Sequence, residues 1–113
     1  MIQKVKEKYK PHYVLSILKE LFRDSKTRCI TKLAHKGAAA MGYMDDEDML
    51  AVVGKLCSEH FYKSMTMYGN HKVWQDVYRY QDNDKALYIK LQLSIDGQQA
   101  VLIQMKRDEE GDE

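Results

Sequence analysis

The stretch KALYIKLQLSIDGQQAVLIQMKR, Lys85 to Arg107, alternates apolar and polar residues on both sides of an Asp-Gly pair. A period of two belongs to β-strands, and Asp-Gly between two such runs marks a hairpin. Leu87, Ile89, Leu91, Leu93 and Ile95 fall on one face of the first strand, with Tyr88, Lys90, Gln92 and Ser94 on the other. A two-residue Asp-Gly loop would set Lys90 beside Ile103 and Leu91 beside Leu102, mixing the faces. A three-residue loop, Asp96 to Gln98, sets Leu91 beside Ile103, Ile89 beside Met105, Tyr88 beside Lys106 and Lys90 beside Gln104. The second register is the expectation. It leaves an apolar face for helices to cover and a polar face carrying Tyr88, Lys90, Gln104 and Lys106.

Outward from the hairpin, KVWQDVYRY (Lys72 to Tyr80) keeps the period of two and joins it through the polar QDND, giving three antiparallel strands. Further upstream the period becomes helical. After Pro11, the spacing of Val14, Leu15, Ile17, Leu18, Leu21 and Phe22 predicts a helix from about His12 to Arg23. Thr31 can cap a second, TKLAHKGAAAM, which Gly42 is placed to end. Asp45 and Asp46 supply the cap and negative first turn of a third, DEDMLAVVGKLCSEH, ending near Cys57 or Ser58. The expected architecture is α+β, with N-terminal helices packed on a small antiparallel sheet in one domain spanning residues 1–113.

The chain's 113 residues carry a formal net charge of +1, unevenly distributed. DEEGDE, Asp108 to Glu113, holds five of the seventeen acids and reads as a solvated acidic tail; the remaining body is +6, which suits a polyanionic partner. KVKEKYK places four lysines within residues 4–10 and reads as an exposed basic arm, about 1–10. The opening MIQKVKEK lacks the apolar stretch of a secretion signal, and no apolar run approaches the roughly 20 residues that span a bilayer, so a cytoplasmic protein without membrane contact is expected. Cys29 and Cys57 form no C-x-x-C unit and read as small core residues.

The signatures of NTPases, α/β-hydrolases, zinc proteases and dinucleotide-binding proteins are all absent. Asp45 to Asp48 could hold magnesium, but at a helix start they serve as cap and dipole partner, and no metal or cofactor is expected. FYKSMTMYGNHKVWQDVYRY, Phe61 to Tyr80, adds lysines, a histidine, a glutamine and aromatics to the polar sheet face, with one carboxylate. Such groups can grip a phosphate, stack on a base and move protons. RNA supplies its own nucleophile in the 2′-hydroxyl, so an enzyme needs only to align the attack, stabilise charge on phosphorus and protonate the leaving oxygen. Each residue also has an ordinary structural use: lysines solubilise, tyrosines favour strands, and Trp74 fits a core or sheet edge.

FYKSMT (Phe61 to Thr66), WQDVY (Trp74 to Tyr78), LYIK and a closing basic strand together resemble the MqsR toxin family over about Pro11 to Lys106. The resemblance implies a RelE-like fold and an mRNA interferase of a toxin–antitoxin system that cleaves RNA without a metal. It implies a partner antitoxin, MqsA-like and itself zinc-binding, through which any contact with DNA would be made. Carried over residue by residue, it implies that Lys63, Gln75 and Tyr88 are catalytic. The reading of the strands adds Lys90, Lys106 and His71 as RNA-binding residues. Tyr80 stands where the family usually has proline, and Met105 replaces an aromatic, so the QDND loop and the substrate preference are where this chain departs. A non-catalytic module of the same fold, binding antitoxin or nucleic acid, is the alternative. On the strand alternation Asp76 falls on the helix-covered side, where a buried carboxylate needs a partner.

Overall fold

A computed structural model describes residues 5–109. Residues 1–4 of the expected basic arm and 110–113 of the expected acidic tail lie outside the described residues. Among the described residues three α-helices accompany six strands: β1 (Glu7–Lys8), α1 (Leu15–Phe22), β2 (Arg28–Ile30), α2 (Lys32–Ala40), α3 (Asp46–Lys55), β3 (Phe61–Met67), β4 (Asn70–Asp82), β5 (Lys85–Leu93) and β6 (Ala100–Arg107). The strands form one sheet in the order β1-β3-β4-β5-β6-β2, all antiparallel except the β2–β6 pair. The fold is α+β. The expected three-stranded antiparallel sheet is corrected to a six-stranded mixed one.

The helix caps follow their sequence signals. Thr31 Oγ1 accepts the Ala34 N–H at 3.0 Å, Asp45 Oδ1 accepts the Asp48 N–H at 2.9 Å, and Gly42 adopts φ +95° just beyond α2. The first helix starts at Leu15 rather than near His12, because the backbone N–H groups of His12 and Tyr13 are committed elsewhere. They donate to the Asp76 carboxylate on β4 at 2.9–3.1 Å. That carboxylate is fully buried, and this is the partner its position required. Its charge is felt nearby: burial first, then Asp76, pushes the Tyr78 hydroxyl up to about 12.

The apolar sheet face and the helices share one cluster, in which Leu18, Phe22, Ala34, Ala38, Met49, Val52 and Val53 meet Tyr78, Leu87, Ile89, Leu91, Leu102 and Met105. In β6 the register places Ile89 opposite Met105, Lys90 opposite Gln104 and Tyr88 opposite Lys106, then shifts so that Leu91 faces Leu102. Ile103 is the extra residue of a β-bulge. Nearer the turn the two-residue-loop register holds, and beyond the bulge the three-residue-loop register holds. The physical reason is core filling: Ala100 and Leu102 occupy even positions and Met105 an odd one, so only an inserted residue turns all three inward. Ile95, expected in the apolar row, is 89% exposed because it sits in the hairpin loop.

Further corrections concern the ends and the cysteines. Part of the basic arm is sheet: Lys6 exchanges bonds with Thr66 and Glu7–Lys8 pairs with β3. Asp108 belongs to the folded body, buried and bonded to Arg79 Nε at 2.7 Å. Cys29 and Cys57 are exposed, the first on the edge strand β2 and the second in the turn after α3.

Gly37 marks the closest approach of α2 to the sheet, since a Cβ there would run into the Met105 backbone carbonyl. Gly37→Ala should therefore destabilise by about 1–3 kcal/mol, opposite in sign to the ordinary helix preference for alanine. Chemical denaturation reads the sign directly. Asp76→Ala leaves two part-buried N–H groups without their acceptor and should cost about 1–3 kcal/mol, with faster proteolysis of the segment before α1 than in the parent.

Candidate functional site

The site lies on the sheet face opposite the helices. Strand alternation carries one row straight across it: Lys63 on β3, Val77 on β4, Lys90 on β5 and Gln104 on β6. The neighbouring row runs Arg79, Tyr88, Lys106, and the row on the other side pairs Met65 with Gln75. Val77 is fully buried although it belongs to this face, where it lies between Lys63 and Lys90 in its row. Tyr88 sits at the centre. The ammonium of Lys106 lies 5.1 Å from its ring centroid and that of Lys90 5.8 Å, while its hydroxyl donates to Met65 Sδ at 3.8 Å.

A bulge at Tyr62 turns Phe61 toward the core, where it meets Tyr78 edge-on, and sets Tyr62 and Lys63 together on the polar face. Tyr62 then carries two cations, Arg79 at 4.6 Å and Lys63 at 5.2 Å from its ring centroid. Lys63 Nζ donates to Glu7 Oε2 at 2.6 Å. The lysines sense one another: burial first, then the charges of Lys106 and Lys63, lowers the Lys90 pKa. An anion bound among them would relieve that repulsion.

Of the six residues singled out from the sequence, Lys63, Tyr88, Lys90 and Lys106 come together here. Gln75 reaches the same face but is buried, and its Nε2 donates to Gln92 Oε1 at 2.8 Å. It is thus an amide held at the floor of the site rather than one presented to solvent. His71 lies at the exposed β3–β4 tip, four residues along the strand from Gln75, roughly 13 Å by strand rise. Three residues were missed. Gln92 pairs with Gln75, and its place on the polar face was legible from the alternation. Tyr62 depends on an unforeseen bulge. Glu7 arrives from β1, 56 residues before Lys63 in the chain, and carries no signal of its own.

Trp74 belongs to the opposite face. His12 stacks on it with centroids 5.7 Å apart, and Lys8 Nζ lies 4.2 Å from its ring centroid, which makes it a clamp for the N-terminal segment. Among the described residues one mixed set of metal-type ligands meets, Cys57, Glu59 and His60. His60 Nδ1 already accepts the Cys57 N–H at 3.0 Å, so the set caps the short turn before β3. No helix among the described residues is long and apolar enough to cross a membrane.

A family model described as motility quorum-sensing regulator, toxin of MqsA, matches residues 10–107. The mRNA interferase toxin MqsR of Escherichia coli (strain K12) is 39% identical over 85 residues, 75% of this chain and 85% of that protein. The family match spans FYKSMT, WQDVY and the closing hairpin, the segments that build the polar face, and the chain belongs to the family of the motility quorum-sensing regulator, toxin of MqsA.

Proposed function

We propose that this chain is the toxin of a toxin–antitoxin pair and acts as an endoribonuclease on mRNA, with the polar face of β3–β6 as its active site. The observation that carries this reading is the gathering of Lys90 and Lys106 around Tyr88, with Lys63 in the same row as Lys90, on the sheet face opposite the apolar core. Ammonium, phenol and amide groups suit attack by the RNA's own 2′-hydroxyl better than activation of a metal-held water. Lys63 neutralises the scissile phosphate, and Lys90 and Lys106 hold the neighbouring backbone. Tyr88 transfers a proton or orients the phosphate. Gln75, supported by Gln92, positions the RNA from the floor of the site, and His71 extends the path along β4. The products are a 2′,3′-cyclic phosphate and a 5′-hydroxyl.

The rest of the family pattern follows as part of the same proposal. The single domain has a RelE-like arrangement of helices on an antiparallel core, β3 to β6, and acts in the cytoplasm, where its substrate is. Its inhibitor is an MqsA-like antitoxin with a zinc site of its own, which also makes any contact with DNA. The basic body suits both an RNA and an acidic protein surface.

Single-turnover cleavage of one defined RNA tests the assignments. Lys63→Ala should lose about 10² to 10³ in rate, as lost transition-state donors do. Tyr88→Phe should lose about 10² to 10⁴ if the hydroxyl moves a proton and almost nothing if the ring only stacks. Gln75→Ala should cost least in rate, but it should lower the melting temperature, because Gln92 Oε1 loses its buried donor. Parental cutting by folded Lys63→Ala would move the site to Lys90 or Lys106.

A further inference from the structure

An RNA-cleaving site built on the 2′-hydroxyl needs a proton acceptor, and the ammonium groups of Lys63, Lys90 and Lys106 supply no carboxylate for it. The structure supplies a carboxylate from the other end of the chain. β1 runs antiparallel to β3 with Glu7 opposite Met65 and Lys8 opposite Ser64. Met65 accepts the Tyr88 hydroxyl, so alternation puts Glu7 on the same face and sends Lys8 to the other, over Trp74. Glu7 Oε2 accepts from Lys63 Nζ at 2.6 Å, while Oε1 lies 3.5 Å from the Tyr9 hydroxyl. The Glu7 side chain is 37% exposed and that of Lys63 13%, so the carboxylate stands at the mouth with the ammonium beneath it.

We propose that Glu7 is the general base of the cleavage reaction, a role that rests on the ribonuclease reading above. Lys63 stands between Glu7 and the phosphate that it neutralises, which places the carboxylate one ammonium's width from the scissile phosphate, within reach of the adjacent 2′-hydroxyl. Glu7 takes the proton of that hydroxyl as the bond from the 2′-oxygen to phosphorus forms. The bond from phosphorus to the 5′-oxygen breaks, and the leaving oxygen takes a proton from the Tyr88 hydroxyl. Lys63 keeps its charge throughout. β1 is thereby part of the active site, and the clamp of His12, Tyr13 and Asp76 behind it is what holds the base in place.

Glu7→Gln keeps the size and the contact with Lys63 while removing the basic oxygen. Its single-turnover rate should fall about 10² to 10⁴, with the Kd for RNA carrying a 2′-deoxy substitution at the cut site unchanged within a few-fold. Formate should restore part of the cutting to Glu7→Ala, an effect that a purely structural residue would not show. If Glu7→Gln cuts at the wild-type rate or faster, Glu7 is a counter-ion that the RNA displaces, and the proposal is overturned. If the rate falls only because deoxy-RNA no longer binds and formate rescues nothing, Glu7 is a binding group and the proposal fails equally. A wild-type chain that cuts no RNA overturns the ribonuclease reading itself, and the base assignment with it.

Discussion

Two backbone N–H groups, those of His12 and Tyr13, donate to one buried carboxylate, Asp76, and much of the molecule's functional layout depends on that contact. A carboxylate with no exposure at all is tolerated only when its oxygens are satisfied. Here the chain itself satisfies them, which stops helix α1 short of its expected start and pins the preceding segment against β4. The Tyr13 hydroxyl adds a bond to the Trp74 carbonyl at 2.7 Å, and His12 and Lys8 close over the Trp74 ring. From that anchor β1 reaches the sheet edge in the one register that delivers Glu7 to Lys63.

WQDVY is then a motif with two faces. Trp74, Asp76 and Tyr78 serve the helix side: a clamp, an anchor and a core ring. Gln75 and Val77 serve the other, as the amide at the floor of the site and the apolar seat between two lysines. Residues 75 to 78 are all buried, so β4 is covered on both sides of the sheet, which is unusual for a strand beneath a polar face. Bulges at Tyr62 and Ile103 do corresponding work on β3 and β6. Each lets a strand satisfy the apolar core at one end and still present its lysine on the polar face at the other.

Much of this was legible because it is written in periodicity. The three helices with their caps at Thr31 and Asp45, the β5–β6 hairpin, and the pairing of Tyr88 with Lys106 and of Lys90 with Gln104 all follow from residue spacing. What was not legible has physical reasons. β3 buries Ser64 and Thr66 rather than large apolar residues, and Thr66 is there to bond Lys6, so a hydrophobic pattern could not find it. The Ile103 bulge answers a packing demand set by Leu102 and Met105 together, which neither register considered alone reveals. Asp108 looks like the start of a charged tail until Arg79 appears opposite it. Lys63, Gln75 and Tyr88 came from motif resemblance, whereas Glu7 needed the sheet order.

The central claim is that a face of lysines, tyrosine and amides cuts RNA through the RNA's own hydroxyl. Mapping both new ends at each cut on a long mRNA, in the presence of a strong chelator, tests it most directly. The account expects cuts at a short recurrent sequence, undiminished by the chelator, with 2′,3′-cyclic phosphate on one side and 5′-hydroxyl on the other. Loss of cutting on chelation, or 5′-phosphate and 3′-hydroxyl ends, would mean that an activated water is the nucleophile and would contradict it.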